Sequence, residues 1–173
     1  GLARALGIGS LGALTAGLGY GLSGLVYGRS VCCPAQIQAA AWMPLLLFGA
    51  DIAIRQRTLA ARAAWWGITG FALSQILATW LGQVSYYALL VLGSFVAYRT
   101  LIDPPIAIPR WKPRLLTLIY NGSAILAVGF GLAAAGILPR LDYNRWTNVA
   151  GGVYGGPHEY AAILGGWSPE QTP

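Results

Sequence analysis

The chain has 173 residues, of which 56% are hydrophobic and only 9% charged, against about 25% charged in a soluble domain. A fold of this size cannot keep that much apolar surface from water, so the composition excludes a freely soluble globular domain and predicts one integral membrane domain. The net charge of +6 comes from 11 Lys and Arg against 5 Asp and Glu, and the positive residues flank apolar runs, a placement that points to charge sorting across a membrane and away from nucleic acid.

The predicted architecture is all-α: a polytopic membrane bundle of about five transmembrane helices over 1–138, then an irregular aromatic and Gly-rich C-terminal tail over 139–173. The first span covers about 5–27. Gly17, Gly21, Gly24 and Gly28 share a stripe about 60° wide on such a helix. In lipid, bare glycine lets another backbone approach closely, so this stripe is a helix-packing face.

The loop that follows carries adjacent Cys32 and Cys33, then Pro34. Neighbouring cysteines bridge each other only with strain, and these lack the two-residue spacer of a redox pair. Thiol chemistry here means a disulfide to a partner chain or a metal site with outside ligands; the plainer reading is two small buried thiols.

The second span, about 38–54, is short, with Pro44 expected in its first turns, where a missing donor costs least. Asp51 is the only acidic residue inside a span, and Arg55 follows four residues later on the same face. An ionisable group at membrane depth is a functional candidate, but this spacing predicts a salt-bridged helix end.

The third and fourth spans, about 64–81 and 84–101, are nearly continuous. One helix over both would be about 57 Å long, almost twice a hydrocarbon core, so a break is expected near Gly82 and Gln83. Ser74, Gln75 and Thr79 make the third span the most polar; they read as hydrogen-bonding glue between helices or as the lining of a ligand pocket. The linker 102–113 holds Pro104, Pro105, Pro109 and Pro113 and is expected to run extended. The fifth span covers about 115–138 and carries a second small-residue face, Gly122, Gly129, Ala133 and Gly136.

Five spans place Arg4, Arg55, Arg57, Arg62, Arg99, Arg110, Lys112 and Arg114 on one side and Arg29, Arg140 and Arg145 on the other. This bias predicts an N-terminus on the basic, inner face and a C-terminus opposite, in a bacterial inner membrane or an organellar inner or thylakoid membrane. Most of the seven tryptophans fall at the drawn span ends, where indole rings favour the headgroup level.

In the tail, His158 is the single histidine. It excludes a bis-histidine haem held within the chain and leaves one axial ligand to haem or chlorophyll open, with a surface histidine the plainer reading. Aromatic residues interleaved with glycine predict a tail lying on the bilayer interface or on a partner.

Five spans, this length and the abundant tryptophans together resemble the architecture of the tryptophan-rich sensory protein (translocator protein) family, which binds porphyrins and sterols. That family's Lys-Pro-x-Trp-x-Pro-Pro loop follows its first span. The corresponding loop here reads Arg29-Ser30-Val31-Cys32-Cys33-Pro34, and Arg110-Trp111-Lys112-Pro113 falls in a later one. The resemblance is architectural and carries over no residues. The glycine-rich first span is also similar to channel subunits of the mitochondrial inner-membrane protein translocases.

Paired carboxylates and nucleophile–base sets do not stand out in the sequence. The expectation is therefore a non-catalytic accessory or scaffold subunit that packs into a larger inner-membrane complex, respiratory or photosynthetic, with the lipid bilayer and other membrane-protein subunits as partners and no nucleic acid. The alternative is a binder or carrier of a small apolar ligand such as a tetrapyrrole, sterol or lipid, and a thiol enzyme or redox relay at Cys32 and Cys33 is a third reading.

Overall fold

In the computed structural model, the described residues are 1–23, 34–79, 83–106 and 110–144. They form helices, with no strand among them. The helices are α1 (Leu2–Ala5), α2 (Ser10–Gly21), α3 (Pro34–Arg55), α4 (Leu59–Thr79), α5 (Gln83–Ala97) and α6 (Trp111–Asn144), and α5 runs on into a π-helical turn, Tyr98–Ile102. Two compact units are distinguished, Gly1–Ala134 and Ala135–Pro173. Of the second, the described part is the helical segment 135–144.

Among the described residues, three helices are long and apolar enough to cross a membrane: Gln36–Arg55, Val84–Ile102 and Trp111–Asp142. This is fewer than the five drawn from the sequence, for two reasons. The first predicted span, 5–27, is not one helix. α1 stops at Ala5, Gly7 turns the chain at φ 88°, Gly9 is extended at φ −58°, ψ 163°, and α2 restarts at Ser10. Glycine adopts positive φ without the strain a side chain would bring. The 12 residues of α2 rise only about 18 Å. α4, with 21 residues, is long enough, but it carries Arg62 and Gln75, which lower its apolar content most, beside Thr69 and Ser74 on a face buried in the protein with Trp66, Leu73, Ile76 and Leu77.

Other boundaries also move. α3 begins at Pro34, so Pro44 lies in the helix interior rather than in its first turns. Proline has no N–H to bond the carbonyl four residues back, which here belongs to Ala40. The Tyr20 hydroxyl donates to that oxygen at 2.6 Å, tying α2 to α3. α6 starts at Trp111, with Pro113 tolerated in the first turn, and runs through Pro139 to Asn144. Residues 139–144, predicted as irregular tail, are therefore helical.

The bundle closes where side chains are small or flat. α3 and α4 meet through edge-to-face pairs, Trp42–Phe71 at 5.5 Å and Phe48–Trp65 at 5.7 Å between ring centroids, and through Gly49, where any Cβ would strike Thr69. α4 meets α6 at Gly70, where a Cβ would lie 2.5 Å from Val128 and 3.0 Å from the Gly129 nitrogen. Trp66 turns into the protein. It is buried, stacked edge-on against Tyr120 at 4.9 Å, and its Nε1–H donates to Asn121 Oδ1 at 2.9 Å. Asn121 is fully buried and its amide also donates to the Thr117 carbonyl, so a buried polar pair is satisfied on both sides.

Candidate functional site

The charged residues of α3, α5 and their flanks converge on Asp51, whose exposure is 0%. α3 carries Asp51 and Arg55 one helical turn apart, and Arg55 Nε donates to Asp51 Oδ2 at 2.7 Å. Its Nη2 donates to the Ala5 carbonyl at 2.8 Å, so the same guanidinium holds the end of α1. The opposite oxygen, Oδ1, accepts from Arg99 Nε at 2.8 Å.

Arg99 lies in the π-helical turn, which the Asp103 amide closes by bonding back to the Tyr98 carbonyl at 3.0 Å. A five-residue turn inserts one residue relative to an α-helix and re-aims the side chains it carries. Arg99 is buried there, and its Nη1 bonds the Asp103 carboxylate and, at 3.1 Å, the Asp103 carbonyl. Arg55, Asp51, Arg99 and Asp103 thus form a chain of alternating charge that sums to zero. For the buried Asp51–Arg99 pair, removing one partner costs about 3–5 kcal/mol, because the other is left desolvated and unpaired; the more exposed Arg55 and Asp103 contribute less.

This hub explains Asp51 as a joint between α1, α3 and the end of α5, and the predicted Asp51–Arg55 bridge is present. The sequence reading missed Arg99, which is 48 positions from Asp51 and outside any helical spacing.

Next to the hub lies a cavity of about 360 Å³, lined by residues including Ile54, Gln56, Arg57, Arg62, Thr100 and Thr117. Arg62 reaches back to donate to the Gln56 carbonyl at 2.6 Å. Its Nε–H is buried and has no acceptor. Arg114, at the start of α6, donates to the Leu101 carbonyl at 2.8 Å. These contacts bring the basic residues of α1, the 55–62 segment and the 99–114 segment to one end of the Gly1–Ala134 unit.

The predicted packing faces fare unequally. Gly17 and Gly21 have open space where a side chain would go, and α2 buries none of its residues; Gly24 and Gly28 lie outside the described residues. Gly17 lines a cavity of about 290 Å³ between the N-terminal helices and α3. In α6, Gly129 packs on Leu73 and Ala133 is buried, whereas Gly122 and Gly136 face open space. The close approaches at Gly49 and Gly70 were not singled out from sequence, because each stands outside a repeated spacing.

Ser74 and Thr79 donate to carbonyls of their own helix, Phe71 at 2.8 Å and Gln75 at 2.6 Å. A second cavity of about 290 Å³ has an almost wholly apolar lining and lies between α5 and α6, among Leu89, Leu92, Gly93, Gly122, Ile125 and Phe130, so the open space at Gly122 is part of it. Cys32, Cys33 and His158 lie outside the described residues. Among the described residues, no three His, Cys, Asp or Glu side chains gather to hold a metal ion. Comparison with family models, with curated proteins and with solved structures finds no match for this chain.

Proposed function

We propose that the chain is a membrane-embedded accessory subunit that works by packing against other membrane proteins. The observation that carries this reading is α6. Over its most apolar membrane-length window, only 17% is buried within the chain. Leu116, Ile119, Leu126, Phe130 and Leu132 are exposed along it. Apolar surface on this scale requires lipid or protein to cover it.

The unfilled Gly17 and Gly21 positions on α2 support a partner helix there as well. Five crossings remain the topology we favour. α4 crosses behind the faces that shield its polar residues, and α2 runs from the basic end toward Ala40 as the described part of the first crossing. Gathering of the basic residues at one end supports that end facing inward in a bacterial inner, organellar inner or thylakoid membrane.

Extraction of the native membrane with a mild detergent, followed by size separation and detection of the chain, tests the reading. The chain is expected to migrate with an assembly several times its own mass. Recovery only as a monomer or homodimer overturns it. A second reading, a carrier of a small apolar ligand, is favoured by the apolar cavity between α5 and α6 rather than by Ser74, Gln75 and Thr79. Co-purification of a tetrapyrrole, sterol or lipid with an isolated monomer, lost in Gly122→Leu, would support it.

A further inference from the structure

We propose that the cavity at the basic end seats the phosphate of an anionic phospholipid headgroup. Charge balance motivates the assignment. Among the described residues, the carboxylates at this end are Asp51 and Asp103, and both are engaged by Arg55 and Arg99. Arg57 and Arg62, which line the cavity, have no carboxylate facing them there. The buried Arg62 Nε–H has no acceptor, although its Nη2 is fixed on the Gln56 carbonyl. A buried donor without a partner is costly, and an anionic oxygen is the acceptor that would satisfy a guanidinium best.

The remaining walls fit a lipid. Ile54 and Ile106 provide apolar surface beside the two arginines, and Thr117 comes from the first turns of α6. Under the membrane reading proposed above, on which this inference rests, the end of α3 and the start of α6 lie at headgroup depth. Basic pockets between membrane helices on the inner face are where anionic headgroups dock. A phosphate is the shared chemistry of a lipid headgroup and a soluble phosphate, and the apolar wall favours the lipid.

The test uses the full chain purified in a neutral detergent. Phosphatidylglycerol, phosphatidylcholine or inorganic phosphate is titrated, and bound ligand is counted by native mass spectrometry. Phosphatidylglycerol should occupy one saturable site at least about tenfold more tightly than phosphatidylcholine. Arg57→Gln and Arg62→Gln should each weaken it roughly fivefold, about the contribution of one basic residue near an anionic headgroup. Lys112→Gln, at the same end but outside the cavity lining, should leave it unchanged.

Should Arg62→Gln fail to fold, the exposed Arg57→Gln carries the measurement. Equal affinity for the two lipids, or equal effects of all three substitutions, overturns the site. Inorganic phosphate binding with the same arginine dependence, without a preference for phosphatidylglycerol, assigns the cavity to a soluble phosphate and overturns the lipid. Site-specific lipid binding by a chain that migrates alone in membrane extracts overturns the subunit reading and leaves this one standing.

Discussion

Pro44 and Tyr20 show how one missing hydrogen can organise a helix pair. The Ala40 carbonyl loses its helical donor to Pro44, and in a membrane there is little water to replace it. The Tyr20 hydroxyl fills that vacancy at 2.6 Å. Tyr20→Phe should therefore destabilise the purified chain by about 1 kcal/mol, in the range of interhelical hydrogen bonds in membranes. Pro44→Ala restores the N–H, so in that background the cost of Tyr20→Phe should fall close to zero. Detergent unfolding of the four variants reads the coupling, and equal costs in both backgrounds would assign the effect to ring packing. At this scale the sequence is legible only within a helical turn. Asp51 and Arg55 can be paired from spacing, whereas Arg99 reaches Asp51 through a π-helical turn that leaves no mark in hydrophobic periodicity.

Helices meet where glycine removes a side chain, but a glycine repeat does not say which helix will use it. Gly70 and Gly129 form a contact within the chain, and Gly21 faces open space. Gly70→Ala should cost about 1–3 kcal/mol of chain stability, because its Cβ meets Val128 and the Gly129 backbone in an already filled interface. Gly21→Leu should change the stability of the isolated chain by less than about 0.5 kcal/mol yet weaken co-migration with a larger assembly. If Gly21→Leu instead unfolds the isolated chain, the stripe is an internal contact and not a docking face. The apolar runs were legible because hydrocarbon requires about 20 apolar residues in a row. Their ends were less so. Pro34, Pro113 and Pro139 all read as helix boundaries, but the first two sit in opening turns, where no N–H is needed, and α6 continues through the third.

At the scale of the Gly1–Ala134 unit, charge and hydropathy carry different information. The basic residues counted onto one side from sequence are joined there by Arg55 to Ala5, Arg99 to Asp51 and Arg114 to Leu101. A transfer scale treats every residue as lipid-exposed, so it does not register that Thr69 and Ser74 of α4 turn to protein. The 22 residues of α3 rise about 33 Å, close to the thickness of a hydrocarbon core, so its two ends should be reachable from opposite faces. With Cys32 and Cys33 replaced by serine, Gln36→Cys should react with an impermeant thiol reagent applied from outside intact cells or organelles, and Thr58→Cys should react only after the membrane is opened. Thr58 adjoins the Arg55, Arg57 and Arg62 cluster, whose charge favours the inner face in the orientation proposed above. Labelling of both positions from outside would mean that α3 does not cross the bilayer. Labelling of Thr58→Cys alone would place the basic end outward, with the arginine-lined cavity on the outer face.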